Sequence, residues 1–339
     1  MNWERAKTIL IVMFLAVDVF LLTVLLQTRF AATRLSDSVI DETISILQAH
    51  HITAAKETVP AKRGKNQNIV MRNYFEEPQR IAQKMLGKCE VVQSDPQMHE
   101  YLYHTERKSL HVKGTNFTYT YHKNDVKPID IDENSEKSEK ALQKRVLDNL
   151  EKLGFHKKKM LICEGKNLNG LYECKVMPLY DEMKIYGVAM HLTMDNEDVV
   201  ALEGVWFKVT SAEADEQEKL IDVTSVLAGL VFEETNNNIE ITKIENAFYV
   251  ADAYLENREI VAVPIYAIQK KSGAAEIDNE FLFFDARTGA AIQKDAAGAA
   301  EQSELPADNE TTIETAEEGD GQNTREPAAE QNDVQTENT

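Results

Sequence analysis

HEYLYHTERKSLHVKGTNFTYTYH, residues 99–122, alternates apolar and polar side chains over most of its length. Its apolar residues recur with a period of two in three short runs, which are Tyr101/Tyr103, Leu110/Val112 and Phe117/Tyr119/Tyr121. That period is typical of β-strands, because successive side chains of a strand point to opposite faces of the sheet. The stretch therefore predicts an antiparallel meander with one buried face.

Two helical patterns precede the meander. Residues 36–51 carry apolar side chains every three or four positions, which places them on one side of a helix. Residues 77–86 predict a second helix with Pro78 in its first turn, where a missing N–H costs no helical hydrogen bond. These helices and the meander predict a first extracytoplasmic α+β domain, residues 29–137, that ends in the polar segment 123–137.

The chain after residue 137 reads as two copies of one unit. Two pairs of similar segments support this interpretation. KVMPLY (175–180) resembles VAVPIY (261–266), and HLTMDNEDVVAL (191–202) resembles FLFFDARTGAAI (281–292). In the second pair an apolar strand runs into a turn at Asp195 or Asp285 and out into another strand. Because a helical pattern also precedes each copy, the sequence predicts repeat units of one helix and a β-meander over residues 138–209 and 210–294.

The charge of the chain is concentrated at its end. Asp and Glu total 57 against 37 Lys and Arg, a net charge of −20, which argues against nucleic acid as a partner. Residues 301–339 hold 12 acidic side chains and Arg325 as their one basic residue. Residues 295–339 have almost no large apolar side chains and predict a disordered acidic tail, because they cannot offset the entropy cost of ordering.

TILIVMFLAVDVFLLTVLLQT, residues 8–28, is apolar except for Asp18. A helix of this length rises about 30 Å, which matches the hydrocarbon thickness of a bilayer. We therefore predict a cytoplasmic leader, residues 1–7, a single-pass transmembrane signal-anchor, residues 8–28, and an extracytoplasmic remainder. A cleaved signal peptide is the alternative, although its apolar region is usually only 7–15 residues long.

Asp18 lies near the middle of this predicted anchor. A carboxyl group there costs about 2.5–3.5 kcal/mol on insertion scales, so a polar contact with a partner helix in the membrane would offset part of the cost. Phe14, Leu22 and Leu25 share its helical face. The predicted partner-contact residues in the bilayer are therefore Asp18, Phe14, Leu22 and Leu25.

No motif for catalysis, nucleotide binding or calcium binding occurs in the sequence. We predict no catalytic residue, no cofactor and no metal site, and therefore no enzyme. Cys163 and Cys174 flank a predicted hairpin turn. A turn centred between Leu168 and Asn169 would place them opposite one another and permit a disulfide, whereas a turn centred on Asn169 and Gly170 would put them out of register.

Three segments, MNWERAKTILIVMFLAVDVFLL (1–22), the acidic helix Ser36–His51 and FLFFDARTGAAI (281–292), resemble YycI-type regulatory proteins. The resemblance covers about residues 1–294, and Asp18 matches the polar residue that the family has midway along its anchor. It implies a membrane-anchored regulator of a two-component sensor histidine kinase of the YycG/WalK type, which controls cell-wall metabolism. It also implies that the protein acts with a YycH-like sister protein in the cell membrane.

The Asp-turn hairpins are similar to PepSY-like modules as well. This similarity implies an alternative function, an extracytoplasmic inhibitor or binder of a peptidase or a wall peptide. The expected fold class is α+β, with an N-terminal transmembrane helix followed by extracytoplasmic antiparallel sheets with packed helices.

Overall fold

A computed structural model describes residues 7, 11, 13–24, 35–129, 136–214, 219–233, 239–251, 257–272 and 280–292. The chain divides into two compact units, residues 1–295 and 296–339, and every described residue belongs to the first unit. The predicted disordered tail, residues 295–339, lies outside the described residues.

The helices lie close to their predicted positions. Helix α1 is described over residues 13–24, and the later helices are α2 (Asp37–Ala49), α3 (Pro78–Leu86), α4 (Glu136–Lys152) and α5 (Val223–Glu233). Ser36 begins α2 by accepting a hydrogen bond from the N–H of Val39. The local signals of periodicity and capping therefore located α2 and α3 within a few residues.

The predicted membrane-spanning helix is wrong. In the part of the chain that the structure describes, no helix is both long enough and apolar enough to cross a membrane. Residues 8–10, 12 and 25–28 lie outside the described residues. The single-pass and signal-anchor assignments are corrected with it.

Sixteen strands in the described residues belong to one sheet. Their bounds are β1 (Ile52–Ala54), β2 (Gln67–Asn73), β3 (Glu90–Asp95), β4 (Glu100–His104), β5 (Lys108–Lys113), β6 (Asn116–Tyr121), β7 (Met160–Leu168), β8 (Leu171–Tyr180), β9 (Met183–Tyr186), β10 (Met190–Met194), β11 (Val199–Val205), β12 (Phe207–Ala214), β13 (Ile239–Tyr249), β14 (Glu259–Ser272), β15 (Glu280–Asp285) and β16 (Ala291–Ile292).

The predicted set of antiparallel sheets is also wrong, because the sheet is mixed. Its main order is β12-β2-β14-β13-β9-β8-β10-β11-β6-β5-β4-β3, with β1 on β13, β7 on β8, β15 on β14 and β16 on β15. Strand β13 pairs in parallel with both β1 and β9. A parallel pair needs a long crossover connection, and nothing in a strand's own alternation reveals which distant strand it will meet.

Each predicted repeat unit contains a helix followed by a row of four neighbouring strands, and the first unit also contains β9, which pairs with β8 and β13. After α4 the neighbours run β7-β8-β10-β11, and after α5 they run β13-β14-β15-β16. The two proline motifs nevertheless occupy different positions. Pro178 is opposite Met160, the first residue of β7, whereas Pro264 is opposite Phe248, near the end of β13. The similar segments KVMPLY and VAVPIY therefore do not occupy equivalent positions in the two strand pairs.

One core joins the two sides of the predicted boundary at residue 137. Strand β6 pairs with β11 from Asn116/Val205 to Thr120/Ala201. Buried side chains of α3, β4–β6, α4, β7, β8, β10 and β11 form a single hydrophobic cluster on the helix-covered face of this part of the sheet. Helix α3 covers only part of that face, which leaves the edge strand β3 exposed.

Candidate binding groove

The candidate site is a groove between α3 and the β3–β4 hairpin. Pro78 occupies the first turn of α3, and Gly87 ends the helix with a φ of +80°, a conformation that glycine adopts without a Cβ penalty. Ile81 and Met85 are buried against the sheet. The opposite side of α3, with Arg80 and Gln83, forms one wall of the groove.

The floor of the groove comes from side chains that share one face of the hairpin. In the β3–β4 register Val91 is opposite Tyr103 and Ser94 is opposite Tyr101, and all four line a space of about 540 Å³. The two tyrosine rings stack at 6.4 Å between centroids and 18° between planes. The groove therefore offers an aromatic floor beside an edge strand.

A second compartment of about 220 Å³ continues the groove and shares Pro78 and Tyr101 with it. Its far wall includes Arg258, whose Nη2 lies 3.2 Å from Nδ1 of His99 in a residue pair separated by 159 positions. Buried Asn73 holds these pieces together, because its Nδ2 donates to the Gly114 carbonyl at 3.2 Å and its N–H donates to the Arg258 carbonyl at 2.8 Å.

The groups lining the groove favour hydrogen bonding and stacking. Burial raises the pKa of Tyr103, with smaller contributions from Tyr101 and Cys89, so its phenol stays neutral at physiological pH. Arg80 is ion-paired with Glu77, the N-cap residue of α3. Among the described residues, no group of three His, Cys, Asp or Glu side chains is placed to hold a metal ion.

A separate polar cluster surrounds Asp195, which is fully buried in the turn between β10 and β11. Its Oδ2 accepts from Lys123 Nζ at 2.7 Å and from the N–H of Lys127 at 3.1 Å, and its Oδ1 accepts from the N–H groups of Glu197 and Asp198. Burial alone would raise the pKa of Asp195, but the ammonium group and the backbone donors lower it to about 2. Through these contacts the carboxylate links the segment after β6, which contains Lys123 and Lys127, to the turn between β10 and β11.

Another polar cluster lies at Glu245 on β13. Tyr186 donates its hydroxyl hydrogen to Glu245, which also accepts from Lys184 Nζ at 2.8 Å and Lys243 Nζ at 2.6 Å. Burial would raise the pKa of Glu245, but these three donors lower it. The mutual pairing of these charges indicates a stabilising role in the sheet.

None of the described partner-contact residues lines the groove. Phe14, Asp18 and Leu22 are on α1 and are exposed, and Leu25 lies outside the described residues. Their contact with a partner helix was predicted because residues 8–28 were expected to span a membrane, and that expectation is corrected above.

The cysteine thiols are free in the structure. Leu168 is opposite Leu171, which centres the hairpin turn on Asn169 and Gly170, and Cys163 is opposite Lys175 instead of Cys174. Of the two turns weighed from sequence, the one that puts the cysteines out of register is therefore present.

Sequence reasoning did not find the groove because it did not find β3. EVVQSD, residues 90–95, has two adjacent valines followed by polar residues, so it lacks the alternation of a half-buried strand. The available signal was the pair Val91-Val92 between a helix ending at Gly87 and a predicted meander. An edge strand exposed on both faces carries little periodic signal.

Scans against models of protein families and against curated proteins find no match. Among solved structures, an uncharacterized protein from Eubacterium rectale ATCC 33656 matches at 13% identity over 68% of this chain and 86% of that chain, with a TM-score of 0.44. The C-terminal domain of Bacillus megaterium YpeB matches at 13% identity over 66% of this chain and 97% of that chain, with a TM-score of 0.36. At these scores neither similarity supports an argument, and neither identifies a YycI-type protein.

Proposed function

We propose that this protein is a non-catalytic binding protein whose groove between α3 and the β3–β4 hairpin takes an extended segment of a partner protein. The main support for this proposal is the aromatic floor of Tyr101 and Tyr103, which lies beside an exposed edge strand. Extended peptides are commonly recognised beside strand edges, where backbone groups give affinity and side-chain pockets give specificity.

The composition of the walls supports the binding of a peptide. Gln79, Gln83 and Ser94 offer uncharged donors and acceptors, and the Tyr103 phenol is held neutral by its raised pKa. Polar walls that include the Arg80–Glu77 ion pair, beside an aromatic floor, suit the recognition of a peptide by stacking and hydrogen bonding.

The resemblance of residues 1–22, 36–51 and 281–292 to YycI-type proteins supports a narrower form of this proposal. In that form the partner segment belongs to a sensor histidine kinase of the YycG/WalK type or to a YycH-like sister protein, and binding changes kinase activity. A PepSY-like role, in which the groove holds a peptidase or a wall peptide, is the competing form.

Site-specific photocrosslinking tests both forms. A photoreactive amino acid replaces Gln83 on the helix wall or Ser94 on the strand wall of the full chain, and Gln48, exposed on α2, is the matched control position. We expect mass spectrometry to find the same partner segment attached at Gln83 and Ser94 but not at Gln48. Tyr101→Ala should reduce this capture at least about fivefold, because it removes an aromatic anchor.

The identity of the captured segment separates the two forms. A kinase or YycH-like segment supports the narrower proposal, and a peptidase segment or wall peptide supports the competing one. Capture at Gln83 and Ser94 no greater than at Gln48 would overturn the binding function itself.

A further inference from the structure

We propose that the bound segment adds to the sheet as a new strand alongside β3, and that it carries Lys or Arg at the positions facing Glu90 and Asp95. This inference rests on the proposed binding function and specifies the chemistry of the occupant. It predicts backbone hydrogen bonding to β3 in addition to side-chain contacts in the groove.

Strand β3 has the features of an open pairing edge. It is the last strand in the order of the sheet, and within the described residues it pairs only with β4. Every residue from Glu90 to Ser94 is exposed, and Val91 and Val92 are 52% and 62% exposed. An edge strand presents a row of unpaired N–H and C=O groups, and here that row adjoins the groove through Val91 and Ser94.

The opposite end of the sheet differs in both respects. Strand β12 is the other terminal strand, and its exposed positions from Lys208 to Ala214 carry polar side chains or alanine. None of its residues lines the groove. The combination of exposed valines, a terminal strand and an adjoining groove therefore points to β3.

The charges of β3 select the class of occupant. If β3 paired antiparallel with β3 of a second copy about its centre, Glu90 would face Asp95 at both ends, and directly opposed like charges destabilise a strand pair. Asp95 is held in place as its Oδ1 accepts from the N–H groups of Gln97 and Met98 at 3.0 and 3.1 Å. A strand with basic ends and an apolar middle complements this edge, whereas a second copy does not.

One feature of β3 opposes strand addition. A bulge between Val91 and Gln93 interrupts the ladder to β4, and bulges are one way in which proteins protect sheet edges. The deciding experiment must therefore detect backbone pairing itself.

The test uses the full chain and four synthetic peptides. KVTVQK has basic ends, and EVTVQE has the same middle with acidic ends. Two further forms of KVTVQK are N-methylated, one at the second and fourth residues and the other at the third and fifth. Fluorescence anisotropy measures binding, and hydrogen exchange measures protection of the β3 amides.

We expect KVTVQK to bind more tightly than EVTVQE and to protect the β3 amides. Alternate N–H groups of a strand point to opposite edges, so only one methylated form should lose binding. Glu90→Lys should weaken KVTVQK about twofold to fivefold and strengthen EVTVQE. Glu106→Lys, an exposed control in the β4–β5 turn, should leave both unchanged.

Equal binding of the two methylated forms would overturn strand addition, and so would binding without protection of β3. If none of the peptides binds but Gln83 and Ser94 still crosslink to a partner segment, a basic-ended strand is rejected as the occupant and the proposed binding function is retained. Tighter binding of EVTVQE would overturn the basic-ended partner.

Discussion

At the residue scale, two aspartates in equivalent turns have different surroundings. Asp285 Oδ1 accepts from the N–H groups of Arg287 and Thr288 at 2.8 and 2.9 Å, which is the same turn geometry that Asp195 forms with Glu197 and Asp198. Asp195 is in addition fully buried against the Lys123 ammonium group. Asp195 therefore contributes a charge interaction with Lys123 in addition to its hydrogen bonds in the turn.

Asp195→Asn should lower the free energy of unfolding by about 2 kcal/mol at pH 7, because the amide keeps the turn but loses the charge. The pKa of Asp195 is lowered to about 2 in the folded protein, below its unfolded value of about 3.9. Its contribution is therefore complete above about pH 5 and is lost as the pH falls toward 2. Urea denaturation from pH 7 to pH 2 measures both effects.

Asp285→Asn is the matched control, since the described hydrogen bonds of Asp285 are those of the turn itself. We expect it to change the unfolding free energy by less than about 0.5 kcal/mol. Equal losses in the two variants would mean that the turn, and not the Lys123 interaction, explains the stabilisation.

At the element scale, the link between β9 and β10 lies close to the end of β13. Gly187 has a φ of +87°, and a Cβ there would collide with the backbone carbonyl oxygen of Val250. The N–H of Val250 donates to the Tyr186 carbonyl at 3.0 Å. Close approach of two backbones therefore requires glycine at this position.

Gly187→Ala should lower the free energy of unfolding by about 2–4 kcal/mol, through both the left-handed backbone and the collision. Gly229→Ala is the contrasting variant. Gly229 lies in α5 with no atom within 4 Å of an added Cβ, so alanine should stabilise the protein by about 0.5–1 kcal/mol. Thermal or urea unfolding measures both, and equal effects would contradict this account.

At the scale of the whole molecule, the sheet continues across the predicted boundary at residue 137. Phe117 and Tyr119 of β6 are buried in the same cluster as Leu150 of α4 and Leu202 of β11. A fragment that ended at residue 137 would expose this apolar surface and the β6 edge. Separate folding of the predicted first domain is therefore disfavoured.

A fragment of residues 29–137 should consequently lack a cooperative urea transition and a dispersed amide NMR spectrum. Residues 29–294 should show both, because they keep the β6–β11 pairing. A well-dispersed spectrum from 29–137 would instead support an independent first domain with its boundary at the polar segment.

The sequence by itself determined the local elements of the fold. Pro78 marked the start of α3, and the period-two runs Tyr101/Tyr103 and Leu110/Val112 became strands β4 and β5 with these side chains on one face. These signals act over a few residues, through steric limits on the backbone and alternation of side chains. Hydropathy and length predicted a spanning helix over residues 8–28, but the described residues contain no helix long and apolar enough to cross a membrane.

Only the tertiary structure decided which elements meet. It placed β6 beside β11, made the sheet mixed around β13, and put Pro178 and Pro264 in different registers despite their similar motifs. It also assembled the groove, since His99 and Arg258 are 159 residues apart in the chain. The physical reason is that strand pairing and register depend on burial summed over the whole sheet, and no short segment of sequence contains that sum.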